Sequence, residues 1–569
     1  MASRFLTSAC LTAGLLVAHA AHAQTPAVPA AGAAGAALPA RVGVFGEREL
    51  SLADALAAVL ANNPDIAVSR TGAEQASWAL KGAFGAYDPR LSLQSSFVRQ
   101  VAPVASIIAG TDTGALTNKD LVVAPRVEGL LPTFGTSYQA SFSARRQTTD
   151  NTFTQLNPQY PTALALAVTQ PLMRGRAVDG ARRQIELARR NEELTDAQFL
   201  QRVMDVTLQA EQAYWDLVFA RQFLQVQVQG LELANQAVES NRRLVDQGVG
   251  APIDVVEAQT QLANARQNIF AAQTVLTRAE NTLKVLMAGD RSSPFWPVAL
   301  QPTTPKREAG AETPLADAVT RALGNRPELT QAAVARAAND VNTRFLRDQT
   351  KPQVDLYGNY ISAGLAGRTI DLGPNPLTSG LLPLFERINT LSTLQGLSPI
   401  ETGGGSGGSG IPPFFIGGLN QSLWNLARQN FPTVEVGVRI GLPLHDRTAQ
   451  ANLASSLVDA RRIDLQRKQL EDVVEADVRN AMQAVASARA SLEASSEASR
   501  LAEQQYGSEQ RKFEAGTSTV FLVLQRQNAL IATRSQRARS EADLNRSLAM
   551  LSRATGEILK VHQITATAR

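Results

Sequence analysis

Residues 433–442 alternate without a break: Val434, Val436, Val438, Ile440 and Leu442 are apolar, while Thr433, Glu435, Gly437, Arg439 and Gly441 are small or polar. A period of two over about ten residues predicts a strand with one apolar and one wet face, long enough to cross a bilayer. An edge strand of a soluble sheet carries the same pattern, so alternation alone leaves both readings open. A weaker version runs through Leu164, Leu166 and Val168, interleaved with Ala163, Ala165, Ala167 and Thr169. Elsewhere the period is helical. Leu52, Leu56, Val59 and Leu60 share one face of a helix expected from about Leu50 to Gly82, which leads to Pro89 and a strand-like stretch. No proline falls between Pro171 and Pro252, and none follows Pro443. Because proline in a helix interior costs about 3 kcal/mol, these gaps permit very long helices. Val178 to Asp246 reads as helix throughout, roughly 100 Å at about 1.5 Å per residue. Gly248-Val249-Gly250 ends it and Asp254 to Ala288 runs back beside it; Gly516-Thr517-Ser518-Thr519 turns a second such hairpin.

The same elements come twice. Leu52-Ala53-Asp54-Ala55, followed by Asn62-Asn63-Pro64-Asp65-Ile66, returns as Leu315-Ala316-Asp317-Ala318, followed by Asn325-Arg326-Pro327-Glu328-Leu329, an offset of 315 − 52 = 263. Pro171-Leu172 and Gly248 have partners in Pro443-Leu444 and Gly516. The chain therefore reads as one unit written twice. The first copy spans 49–290, with strands near 89–100 and 161–171 and a helical hairpin over 178–288. A connector over 291–314 precedes the second copy, 315–560, with strands near 352–362 and 432–443 and a hairpin over 448–555. The stretch between the first copy's strands reads as a variable loop. In the second copy, 366–430 is a large insertion whose centre, Gly403 to Gly410, is GGGSGGSG and is expected to be mobile. Pro89, Pro171, Pro352 and Pro443 fall at helix/strand junctions, where a residue that cannot donate to a ladder and disfavours helix before it suits a turn.

Composition narrows the class. Of 569 residues only 5% are aromatic, which fits extended helices better than several bulky cores. With 55 basic and 51 acidic side chains the net charge is +4, too thin a basic field for a nucleic-acid partner. Arg4, the apolar stretch Phe5 to Ala18 and Ala21-His22-Ala23 form a secretory signal over residues 1–23, followed by a Pro/Ala/Gly spacer over 24–48 expected to be disordered. Cleavage leaves 569 − 23 = 546 residues and removes the single cysteine, Cys10, for which Thr7-Ser8-Ala9 is a poor lipid-attachment context. The exported chain has no disulfide. No later apolar run approaches the 18 or so residues that a spanning helix needs, so any crossing of a membrane falls to strands. The histidines beyond the signal are His445 and His562, and neither a P-loop nor an H-E-x-x-H pattern is present. No catalysis, metal or cofactor is expected, and His445, at a strand exit, reads as a wet interfacial side chain.

Two strand pairs cannot close on themselves. In lipid their edge N–H and C=O groups would cost several kcal/mol each, so other copies must complete the sheet, and the long hairpins must likewise pack laterally. The predicted fold class is mainly α with membrane β-strands. At this point the duplicated order of helix, strand, strand and long hairpin, with Pro171-Leu172 and Pro443-Leu444 after the second strands, resembles the TolC-type outer-membrane efflux family. The turns at Gly248 through Asp254-Val255-Val256-Glu257 and at Phe513-Glu514-Ala515-Gly516-Thr517 carry the same resemblance. It implies a homotrimer with a twelve-stranded barrel in the outer membrane of a Gram-negative bacterium, continued by a periplasmic α-helical barrel. It also implies a periplasmic adaptor protein gripping the hairpin tips at Gly248, Gly250, Gly516 and Thr517, and an inner-membrane pump that supplies the energy.

Asp254 and Glu257, three apart on one helical face, would bring carboxylates toward the axis in such a ring, a cation-attracting constriction. The matching positions of the second copy are Leu522 and Gln525, so an acidic ring would come from the first copy alone. The plain alternative is that Asp254 is favoured by the helix macrodipole and Glu257 is a solvated neighbour. The function expected is a passive exit duct for small molecules or ions. The exit duct of a type I protein secretion system shares these features, and a structural coiled-coil protein without a pore is the reading from another class.

Overall fold

A computed structural model describes residues 41–105, 114–151, 153–305, 313–370, 381–400 and 411–568. The expected signal peptide, the spacer up to residue 40 and the glycine-rich centre of the insertion lie outside these residues. The last part of the expected spacer is ordered: β1 (Gly46–Leu50) pairs in parallel with a strand of the connector, described below.

One helix was expected from Leu50 to Gly82, and two form. α1 (Leu52–Asn62) stops where Asn63 turns extended, and α2 (Pro64–Phe84) restarts with Pro64 in its first turn. The Asn63 side chain accepts from the N–H groups of Asp65 and Ile66, satisfying two donors that the new helix start leaves open. A proline in the first turn gives up no helical hydrogen bond, so Asn63-Pro64 breaks the helix at little cost.

The largest departure comes next. After β2 (Arg90–Pro103) the expected variable loop contains two long strands, β3 (Ala115–Leu130) and β4 (Ser137–Thr149). The short β5 (Leu156–Gln159) and then β6 (Thr162–Pro171) follow. α3 (Gly180–Asp246) and α4 (Pro252–Ala288) form the first hairpin, and β7 (Val298–Pro302) is the partner of β1. The second half runs α5 (Leu315–Asn325), α6 (Pro327–Gln349), β8 (Gln353–Gly364) and β9 (Gly367–Thr369). Within the insertion lie α7 (Leu382–Leu394) and α8 (Leu419–Ala427), so part of it is folded. β10 (Phe431–Gly441), the 68-residue α9 (Arg447–Glu514), α10 (Val520–Ala554) and the short α11 (Ile558–Val561) complete the chain.

The long strands make one antiparallel sheet in the order β2-β3-β4-β6-β8-β10. The chain thus brings six long strands, with the short β5 and β9 beside them, to one sheet where four strands were expected. The helices pack as two antiparallel hairpins side by side, α3 against α4 and α9 against α10, with α10 also against α3. The main core lies partway along α3, where Phe199, Tyr214, Trp215 and Leu217 pack with Leu56 and Val59 of α1, Leu283 of α4 and Leu300 of β7. The Tyr214 hydroxyl donates to the Leu50 carbonyl and accepts from the Thr304 N–H, tying both strands of the small parallel pair to α3.

Candidate functional site

The register sorts the sheet into two faces. One carries Leu91, Leu93 and Phe97 of β2, Leu121, Val123 and Val127 of β3, and Tyr138, Ala140 and Phe142 of β4. It continues through Leu164, Leu166 and Val168 of β6, Val354, Leu356 and Tyr360 of β8, and Val434, Val436, Val438 and Ile440 of β10. These side chains are apolar and many stand open, Leu91 at 76% exposure and Val436 at 73%. From Val434 to Ile440 the apolar row covers roughly 20 Å along the strand at about 3.4 Å per residue. The opposite face carries Arg90, Asp120, Arg126, Glu128, Arg145, Asp355 and Asn359, with Glu435 and Arg439 on β10. There Glu435 accepts from the Tyr357 hydroxyl at 3.1 Å and from Asn359 Nδ2 at 2.9 Å, while the Arg439 guanidinium lies over the Tyr357 ring. Tyr357 also fills the space above Gly437, its partner in register, which a larger residue would contest. A sheet apolar on one side and charged on the other suits a wall between lipid and water. Its two outermost strands, β2 and β10, each pair on one side only.

At the other end of the helices lie the tips. Gly248 (φ 76°) and Gly516 (φ 73°) take the left-handed conformation that closes each long helix and admits the turn. The N–H groups of Val249 and Gly250 both donate to the Leu244 carbonyl, and those of Gly516 and Thr517 donate to Phe513 and Lys512. Asp254 accepts from the Ala251 N–H at 3.3 Å, a contact at the start of α4 that fits the plain capping role. Glu257 is half-buried one turn on, while Leu522 and Gln525 are exposed in α10. Gln261 of α4 and Asn528 of α10 are hydrogen-bonded through their side chains, so the two helices that carry these four positions meet near their tip ends. No polar contact joins Asp254 or Glu257 to Leu522 or Gln525 among the described residues.

Pro89 directly precedes β2, Pro171 ends β6, Pro352 directly precedes β8 and Pro443 lies two residues beyond β10. His445 is exposed. No helix among the described residues is long and apolar enough to cross a membrane, and no cluster of histidine, cysteine or acidic side chains there could hold a metal ion.

Residues 126–289 and 318–557 match the protein family described as outer membrane efflux protein. The chain belongs to that family. Membership makes it an efflux protein of the outer membrane. No curated protein matches its sequence. Solved structures that it resembles include the Campylobacter jejuni CmeC outer membrane channel, at 12% identity over 89% of this chain and 86% of that one with a TM-score of 0.58. The Neisseria gonorrhoeae MtrE channel in its open state is similar at 15% identity, 89% and 89% coverage and a TM-score of 0.55. The Vibrio cholerae outer membrane protein VceC is similar at 13% identity, 89% and 96% coverage and a TM-score of 0.55. At such identities the likeness is one of fold.

Sequence reasoning missed the buried charges of this efflux protein. His562 Nε2 lies 2.9 Å from Glu211 Oε2, which is wholly buried, and the pair ties the C-terminal segment to α3. Arg553 of α10 bridges Asp205 of α3 and Glu328 of α6, each at 2.7 Å. Burial opposes ionisation of Glu328, but the hydrogen bond and charge of Arg553, with Arg326, more than offset it and hold the carboxyl below its ordinary pKa. Glu280 of α4 sits between Lys284 at 2.7 Å and Arg41 at 2.8 Å. In sequence most of these charges are polar positions on helices, Arg41 and His562 are polar positions outside any helix, and only their burial sets them apart.

Proposed function

We propose that three copies of this chain close head to tail into a passive exit duct, fed by an inner-membrane pump through a periplasmic adaptor. The observation that carries the reading is the two-faced sheet with two open edges, because an open edge in lipid leaves a row of unsatisfied backbone groups. The flanks agree with the edges. α2, which leads into β2, exposes Val68, Trp78 and Phe84, and α9, which leaves β10, exposes Leu457, Val458, Leu465 and Val473. A ring that joins the β2 flank of one copy to the β10 flank of the next covers both apolar surfaces and both edges at once. Three copies of six strands make an eighteen-stranded barrel in place of the twelve expected from the resemblance. Since barrel diameter grows roughly linearly with strand number, that pore is about one and a half times as wide. Purified protein in planar bilayers is expected to conduct ions, with eighteen strands visible by electron microscopy. Absence of any channel would sink the reading in favour of a structural coiled-coil protein.

In this duct Asp254 and Glu257 supply six carboxylates at the periplasmic entrance, with Leu522 and Gln525 beside them. Asp254→Ala combined with Glu257→Ala is expected to raise conductance and to relieve block by divalent cations. If both quantities stay at wild-type values, the acidic constriction is wrong and the capping role of Asp254 is the whole of its function. Gly248, Gly250, Gly516 and Thr517 form the surface that the adaptor grips. Gly516→Trp strains a left-handed position and adds bulk at the tip, so it is expected to abolish efflux in cells while trimers still reach the outer membrane; full efflux would rule out docking there.

A further inference from the structure

On three neighbouring strands the apolar series of the lipid-side face is interrupted by a cation, each time toward the end away from the helices, with the exposed Val101 of β2 lying beyond it. In β2 Phe97 is followed two residues on by Arg99, in β3 Leu121 is preceded by Lys119, and in β4 Ala144 is followed by Arg146. The register gathers the three. Arg99 is directly opposite Lys119, Arg146 is opposite Leu121, and Lys119 is opposite Thr148, so Arg146 lies on the diagonal of Lys119. All three side chains are exposed. Like charges directly opposite on one face of a sheet repel, and residues on the diagonal are still within reach of long side chains, so this arrangement calls for an anion. Asp150, one row further out, already accepts from the Thr117 backbone N–H at 2.7 Å.

The other half of the sheet ends differently. At the same end of β6 and β8, α8 lies against the apolar face. Thr162 and Ser422 hydroxyls are 2.8 Å apart, Ser362 donates to the Leu426 carbonyl at 2.9 Å, and Asn425 donates to the Leu365 carbonyl at 2.9 Å. Trp424 of α8 is exposed beside that seat. Aromatic side chains bordering an apolar band are what the boundary between hydrocarbon and headgroups favours. The outer rim of the lipid-side face therefore carries Trp424 over β6 and β8 and cations over β2, β3 and β4.

We propose that Arg99, Lys119 and Arg146 form a shelf, at the outer end of the apolar band, that binds the phosphate groups of anionic outer-leaflet lipid. The chemistry is charge complementarity at the depth where lipid phosphates lie, with guanidinium forks able to hold two phosphate oxygens at once. The proposal rests on the reading of the sheet as one copy's share of a membrane barrel. The test is native mass spectrometry of the detergent-solubilised assembly, titrated with bisphosphorylated lipid A and, separately, with the same lipid after enzymatic removal of its phosphates. Wild-type protein is expected to retain the bisphosphorylated form at least about tenfold better than the dephosphorylated one, and Arg99→Gln/Lys119→Gln/Arg146→Gln is expected to lose that preference. Arg145→Gln, whose side chain projects to the opposite face, keeps it. Should the triple variant fail to assemble, Arg146→Gln alone is expected to lower retention about threefold. Equal retention of the two lipids by wild-type protein, or an undiminished preference in the assembled variants, overturns the shelf. The conductance of wild-type protein is read on the same preparation, so a conducting protein without lipid preference refutes the shelf alone, and a non-conducting one refutes the barrel.

Discussion

Val436→Arg is expected to remove the protein from the outer membrane. Val436 sits midway along β10 on the apolar face and is 73% exposed in the single chain, so nothing within the chain hides a charge placed there. An arginine facing lipid near the midplane of a β-barrel costs about 2–4 kcal/mol, and a threefold ring meets that cost three times over. No such penalty attaches to Thr433→Arg, three residues earlier on the same strand, because Thr433 faces the charged side with Glu435 and Arg439. The pair is compared by heat-modifiable gel mobility of outer-membrane fractions. Trimer is expected from Thr433→Arg and degraded monomer from Val436→Arg; the reverse pattern would invert the assignment of the two faces.

Glu280→Ala is expected to cost about 3–5 kcal/mol of stability, the range seen when one partner of a buried ion pair is removed. Glu280 and Lys284 have 0% and 1% of their side chains exposed, and Lys284 also donates to the Trp296 carbonyl at 3.0 Å. Removing the carboxylate strands more than Lys284. Arg41 loses its partner, and burial already pushes the Arg221 guanidinium below its ordinary pKa, a shift that Glu280 and Glu47 oppose. The loss is not simply one of contacts. Glu280→Met combined with Lys284→Met takes away both charges of the closest pair and is expected to melt well above Glu280→Ala. Thermal unfolding of the solubilised assembly followed by circular dichroism gives both midpoints. Equal midpoints for Glu280→Ala and wild type would mean that the cluster does not hold the N-terminal segment against α4.

How much of this could be read in the sequence depended on how cleanly each segment keeps its period. β10 alternates strictly because its two faces meet different surroundings throughout, and the long hairpins declared themselves by lacking proline over whole helices. β3 and β4 were hidden for three physical reasons. Leu121, Val122, Val123 and Ala124 run together without alternation, since the charged face of the sheet tolerates Val122 and Ala124 among its polar residues. Arg145 and Arg146 are adjacent and point to opposite faces, which blurs the pattern from the other side. Pro125 stands inside β3 where a central strand ordinarily excludes it, and the pairing with β4 skips Ala124 and Pro125, so the missing donor is accommodated. The break between α1 and α2 is marked by the Asn63-Pro64 pair, an N-cap followed by a first-turn proline, but the helical period runs on through it to Ile66 and masks the stop. The buried charges were not legible at all. Glu280 and Lys284, four apart, look like an ordinary solvated helix pair until Arg41 and the Trp296 carbonyl close over them. As for the tips, the glycines and the acids could be located along the chain, whereas an approach across the axis of the proposed ring would be a property of three chains together.

The open flanks of the sheet also have a genetic consequence. Because β2 and β10 each lack a partner on one side, in the proposed trimer a copy that can fold but cannot extend one edge would do more than fail itself: it would occupy a place in a ring that then cannot close. With equal amounts of sound and edge-blocked copies, random assembly in threes leaves only about one ring in eight free of a defective copy. An allele that blocks a single edge should therefore behave as dominant, whereas a null allele of the same gene should be recessive.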